Sequence, residues 1–127
     1  MPVKKKTPAA PVQEGSTERA HKAVAAASEK QAEDIILLDL RKLVTYTDYF
    51  VLCTGETARQ INAITSSIDE ALTKNGARLL HREGASESGW VLLDFGDVVA
   101  HVFAPEQRAY YRLDRIWQKA PVILRMQ

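Results

Sequence analysis

The stretch "SGWVLLDFGDVVAHVF", Ser88 to Phe103, constrains this chain most tightly. It reads as two apolar strands around Phe95-Gly96-Asp97, which is short enough for a hairpin turn with Gly96 at positive φ. Successive side chains of a strand point to opposite faces. Trp90, Leu92 and Asp94 therefore share one face, and Val91, Leu93 and Phe95 share the other. Both faces are apolar, and one ends in an acid. Such a strand needs a cover on each side, from this chain's own helices or from another molecule.

The remaining segments supply material for one such cover. "DIILLDL" (Asp34–Leu40) and "DYFVLCTG" (Asp48–Gly55) are short continuous apolar runs, the pattern of strands buried on both faces. "TERAHKAVAAASEKQ" places Ala20, Ala23, Val24, Ala27 and Gln31 at helical spacing. The helix after Gly55 is the most sharply marked. Thr57 and Gln60 form a capping-box pattern, with Gln60 expected to reach back to the Thr57 N–H. Ile61, Ile64, Ile68, Ala71 and Leu72 follow as an apolar stripe, and Asn75-Gly76 ends it. "ARLLHRE" reads as a further strand. A last helix starts near Pro105, with Tyr110, Leu113, Ile116 and Trp117 as its buried stripe and Pro121 as its end.

The order is helix, two strands, helix, three strands, helix. It predicts an α/β (α+β) fold, a mixed five-stranded sheet covered by helices. The late strands can pair antiparallel, and the step through Thr57–Gly76 needs a right-handed crossover. Residues 1–15, rich in Lys, Pro and Ala, read as a disordered tail, 16–121 as the domain, and 122–127 as a C-terminal tail.

Composition narrows the function. The 127 residues are 46% hydrophobic and 26% charged, ordinary for a globular protein. No apolar run approaches a membrane span, and the N-terminus lacks the apolar core of a secretory signal. One cysteine, Cys53, lies in an apolar run, which fits a reducing cytoplasmic setting and an inert buried thiol. The net charge of +1 divides into +3 over residues 1–30 and −2 over the rest. A domain that tracks a phosphate backbone usually carries a basic excess. This one is slightly acidic and suits a basic protein partner better.

A search for chemistry returns little. Asp39, Asp48, Asp94 and Asp97 flank strand ends, where converging carboxylates could hold Mg²⁺, and "TGETARQ" sets Gly55 before a helix N-terminus. That layout is the basis of an alternative, a metal-dependent nucleotidyltransferase or nucleotide-binding enzyme. It lacks an Asp-x-Asp pair after the helix and a serine after the glycine. "DFG" at Asp94–Gly96 stands without any other kinase motif. His21, His81 and His101 have no metal-ligand spacing, and His101 reads as a hydrogen-bonded sheet residue. No catalytic triad, phosphate loop, zinc spacing or dinucleotide fingerprint is present. Neither a catalytic residue nor a metal or cofactor is assigned, so binding is the expected activity.

Five segments then carry a resemblance. "AEDIILLDLR", "DYFVLCTGETARQINAI", "HREG", "GWVLLDFGDVVAHVF" and "RAYYRLDRIW" resemble, in order and spacing, the ribosomal silencing factors, or Iojap-like proteins. Ala100, Tyr110, Asp114 and Ile116 are mild departures, and the lysine-rich tail lies outside the match. The resemblance implies a nucleotidyltransferase-like fold without catalytic residues. It implies binding to the large ribosomal subunit through large-subunit protein fourteen, a block on subunit joining, lowered translation when nutrients are scarce, and a homodimer when free. Apart from the resemblance, a third reading is direct RNA binding helped by Lys4–Lys6, with ribosomal RNA expected as a minor contact. Carried over, Trp90 and Leu92 become apolar anchors and Asp94 the partner of a lysine or arginine. His81 and Glu83 join them if their strand pairs beside Trp90, and Asp48, Tyr49 and His101 are weaker candidates. The competing reading of Trp90 is a core residue beneath a helix.

Overall fold

The computed structural model describes residues 15–112 and 118–127. The lysines at positions 4–6 and the stripe residues Leu113, Ile116 and Trp117 lie outside them. The described residues form ten elements: α1 (Ser16–Glu29), β1 (Glu33–Asp39), β2 (Tyr49–Thr54), α2 (Ala58–Lys74), β3 (His81–Glu83), a 3₁₀ turn (Ser86–Ser88), β4 (Trp90–Asp94), β5 (Val98–Phe103), α3 (Pro105–Tyr111) and β6 (Val122–Met126).

The strands form one sheet in the order β3-β4-β5-β2-β1-β6. It has six strands rather than the expected five. The sixth comes from the final residues, read above as a tail. They pair antiparallel with β1, Leu37 opposite Leu124. The β2–β5 pair is parallel and the other four are antiparallel. The parallel pair follows from the long connection through α2, β3 and β4, since a tight turn can join only antiparallel neighbours.

Alternation divides the core between two faces. On one, Ile35 and Leu37 of β1, Val51 and Cys53 of β2, Val91 and Leu93 of β4, and Val98, Ala100 and Val102 of β5 pack with α1 and α2. The small residues Ala20, Ala23 and Ala27 are fully buried. They let α1 sit close beside α2 and the sheet. Gln31 is not part of that stripe, because the helix stops at Glu29 and Gln31 is exposed with φ 64.

Helix α2 starts as its sequence requires. The Thr57 hydroxyl accepts from the Gln60 N–H at 3.1 Å. The Gln60 side chain reaches one residue further back than expected, accepting from the Glu56 N–H at 2.6 Å. Its amide nitrogen donates to the Lys30 and Gln31 carbonyls at 3.2 and 3.0 Å. One side chain thus ties the start of α2 to the end of α1. Gly76 follows the helix at φ 88.

Two further expectations change. Only His81–Glu83 of "ARLLHRE" forms a strand. The final helix closes at Tyr111, with Arg112 left-handed at φ 52, and Tyr110 is 80% exposed rather than buried.

Candidate docking face

The other face of the sheet adds aromatic rings and a histidine to its aliphatic residues. Phe50 and Leu52 of β2, Val99, His101 and Phe103 of β5, and Ile36 and Leu38 of β1 lie there. Cross-strand register extends the row to the β3 edge. Trp90 stands opposite Phe103, Leu92 opposite His101, and Asp94 opposite Val99. On the far side of β4, His81 stands opposite Asp94 and Glu83 opposite Leu92. Directly opposed residues share a face. The five residues singled out from the sequence, His81, Glu83, Trp90, Leu92 and Asp94, therefore lie together.

Exposure rises toward the β3 edge. Phe50, His101 and Phe103 are buried; Trp90, Leu92 and Asp94 are partly exposed; His81 and Glu83 are exposed. Trp90 is thus neither a sealed core residue nor a loose surface one. Its ring lies 5.0 Å from the Phe103 ring between centroids, and its Nε1–H donates to His101 Nδ1 at 3.2 Å. The His101 ring meets Phe50 edge-on at 4.7 Å and stacks with Phe103 at 6.1 Å. Burial pushes the His101 pKa down to about 4, so the ring is neutral near pH 7.

The acids of the row are tied locally. His81 Nε2 and Glu83 Oε2 are 2.8 Å apart. Asp94 Oδ1 accepts from the Gly96 N–H at 2.7 Å, which braces the hairpin, and Gly96 adopts φ 90. The row also runs into an open cleft of about 560 Å³. Trp90 and Leu92 give it apolar walls, Glu83 an acidic rim, and Gln107 and Tyr110 of α3 the opposite side. Gly84 permits this approach. It has φ +84, and a Cβ there would sit 2.0 Å from the Trp90 carbonyl oxygen. The contributions of Gln107 and Tyr110 were not foreseen, because the placement of α3 across the cleft from Trp90 and Leu92 leaves no periodic signal.

Of the weaker candidates, His101 joins this face opposite Leu92, and Tyr49 and Asp48 separate from it. Tyr49 is buried on the helix-covered face, its hydroxyl 2.7 Å from Thr17 Oγ1. Asp48 lies before β2, where its N–H donates to the Asp97 carbonyl. Asp97 pairs with Arg19 of α1. Arg41 holds Asp39 at 2.9 and 2.6 Å and keeps its carboxyl below the usual range. The four acids share one end of the sheet, and the carboxylates of Asp39, Asp94 and Asp97 are each tied to a different partner. Among the described residues, no group of three or more His, Cys, Asp or Glu side chains is placed to hold a metal ion. Burial pushes the Cys53 thiol up to about 12, which leaves it unreactive. No described helix is long and apolar enough to cross a membrane.

A family model described as "Ribosomal silencing factor during starvation" matches residues 13–127. The chain belongs to the ribosomal silencing factor family. Among its relatives, the ribosomal silencing factor of Bacillus subtilis is 42% identical over 100 residues, covering 79% of this chain and 85% of that one. The chloroplastic Iojap protein of Zea mays is 41% identical over 98 residues, covering 77% of this chain and 42% of the longer plant protein. A crystal structure of a Chromobacterium violaceum protein superposes with TM-score 0.77 at 34% identity, covering 80% of this chain and 85% of that one. The resemblance read from five sequence segments is therefore confirmed. As a ribosomal silencing factor, the chain belongs among regulators of translation associated with the ribosome.

Proposed function

We propose that this silencing factor docks on the large ribosomal subunit through large-subunit protein fourteen and bars the small subunit by occupying its joining surface. In this reading the protein acts without catalysis, cofactor or metal, on a nucleotidyltransferase-like fold that has no catalytic residues. It lowers translation in the cytoplasm under nutrient limitation or in stationary phase, and the free chain is a homodimer. Ribosomal RNA contributes at most a minor contact.

One observation carries the reading: the half-covered row Trp90, Leu92, Asp94, flanked by His81 and Glu83, on the sheet face turned away from α1 and α2. Apolar anchors beside acids suit a partner surface with an apolar contact next to lysine or arginine. A net charge of −2 over residues 31–127 favours encounter with a basic ribosomal protein. At 14.2 kDa the bound chain needs only to occupy space.

The test is co-sedimentation with isolated large subunits, followed by addition of small subunits. The wild-type protein is expected to pellet with large subunits and suppress joined ribosomes. Trp90→Ala is expected to weaken binding by about 30-fold or more, the loss of a central tryptophan anchor, with circular dichroism reporting that the variant is folded. Unhindered joining at saturating protein would sink the proposal.

A further inference from the structure

His101 is a buried histidine in a setting where an apolar residue would fit more cheaply. Its Nε2 is buried and has no hydrogen-bond partner among the described residues. Leaving a buried donor unpaired typically carries a penalty. The histidine therefore needs a compensating role, and its other nitrogen has one. Nδ1 accepts the Trp90 indole N–H at 3.2 Å. That bond requires a lone pair on Nδ1, so the proton resides on Nε2 and the ring is neutral. Desolvation on burial favours the same state.

The ring is also held in place. Phe50 abuts it edge-on at 4.7 Å and Phe103 lies parallel to it within 8°. Phe50 and Phe103 are themselves buried. Trp90, by contrast, is partly exposed at the rim of the cleft. In a strand, two χ1 rotamers are common and tryptophan χ2 is broad. Stacking on Phe103 constrains the plane of the indole more than its rotation within that plane. A directional acceptor on a fixed ring selects one pose.

We propose that His101 is a positioning residue for the docking face, its Nδ1 fixing the Trp90 indole in the pose that meets the partner. This deepens the docking reading and rests on it for its functional consequence. The gain is preorganisation: an indole ordered before binding does not have to be ordered by it.

Two substitutions separate the acceptor from the bulk of the ring. His101→Leu fills space and removes the acceptor. His101→Asn keeps an acceptor near the Nδ1 position. The first readout is hydrogen exchange of the Trp90 indole N–H in protein labelled at its two tryptophans, the signal assigned by its loss in Trp90→Phe. The second is affinity for isolated large subunits. His101→Leu is expected to leave the indole N–H exposed to exchange and to weaken binding roughly three- to tenfold, with both effects reversed in His101→Asn. Trp90→Phe removes the donor from the other side and is expected to give a similar loss. In that background His101→Leu should add nothing.

An indole N–H equally protected in His101→Leu would overturn the hydrogen bond and the proposal with it. Wild-type affinity in His101→Leu, with Trp90→Ala still impaired, would overturn the positioning role alone. Wild-type affinity in Trp90→Ala would instead overturn the docking reading and remove the role His101 is given within it. If His101→Leu does not fold, the decision falls to Trp90→Phe, for which wild-type affinity refutes positioning.

Discussion

The two faces of the sheet use the same strands and solve different problems. The inner face is aliphatic and closed: Val51, Val91, Leu93, Ala100 and Val102 are fully buried beneath α1 and α2. Its contacts are mostly non-directional, with the Tyr49–Thr17 hydrogen bond as an exception. The outer face is aromatic and graded, from buried Phe50, His101 and Phe103 through half-covered Trp90 and Leu92 to exposed Glu83. It includes a hydrogen bond between side chains, a buried nitrogen without a described partner, and a cleft. Close packing alone favours the first arrangement. The second accepts local costs, which is expected where a surface is shaped for something outside the chain. The difference teaches that stability and recognition are drawn from opposite sides of single strands, so adjacent residues of β4 should respond to mutation in opposite ways.

The largest expected effect tests that separation directly. Ile64 of α2 is completely buried against the inner face. Ile64→Ala should cost about 2–5 kcal/mol in urea denaturation, the usual cost of deleting a buried aliphatic side chain and leaving a cavity. Leu92→Ala, half covered on the outer face, should cost about 1 kcal/mol. Affinity for large subunits should show the reverse order among variants that remain folded. Equal stability losses at the two positions would mean that the outer face is as closed as the inner one.

A comparable effect is expected from pH, and only the outer face should produce it. The folded-state pKa of His101 is about 4 against an ordinary 6.5. The folded protein therefore binds fewer protons at this site than the unfolded chain between those values. Its contribution is fully present above pH 6.5 and is lost as pH falls from about 6.5 to about 4. The loss approaches about 3 kcal/mol at the lower end. Protonation of Nδ1 would also place two donors face to face, at His101 and the Trp90 indole. Asp39, whose carboxyl is held low by Arg41, loses its contribution only in more acidic solution. Denaturation at pH 7 and pH 4.5, compared between wild type and His101→Leu, isolates the histidine. A flat difference between the two proteins would remove the buried neutral ring from the account.

Much of this contrast was legible in the sequence, and the illegible part has a physical pattern. Alternation placed Trp90, Leu92 and Asp94 on one face and Val91 and Leu93 on the other, and the capping residue Thr57 fixed the start of α2. Those signals are local. The sixth strand was missed because "VILRM" has no turn partner nearby; its hydrogen bonds go to β1, some ninety residues earlier in the chain. Tyr110 was assigned to a buried stripe by periodicity, but α3 spans only Pro105–Tyr111, which is too short for a full amphipathic pattern to hold. The Arg19–Asp97 pair joins residues 78 positions apart and leaves no trace in spacing. The His101–Trp90 bond lies across the hairpin on a diagonal, and only the register shows which nitrogen faces which ring.

The smallest expected effect sharpens the comparison from the inner side. Thr57 caps α2, which packs on the sheet face opposite the docking row, and its hydroxyl meets only one of the helix's open N–H groups among the contacts described. Thr57→Ala should lower stability by about 1 kcal/mol, the ordinary worth of an N-cap. Gln60 still accepts from Glu56 and still holds the Lys30 and Gln31 carbonyls, so the junction with α1 should survive. A loosened roof need not disturb a face on the other side of the sheet, because β4 and β5 remain paired beneath it along five residues each. Binding to large subunits should therefore be unchanged within error while the urea midpoint falls. A matched fall in affinity would show that the inner helices set the outer face's shape, and that the two sides of the sheet are one cooperative unit rather than two divided roles.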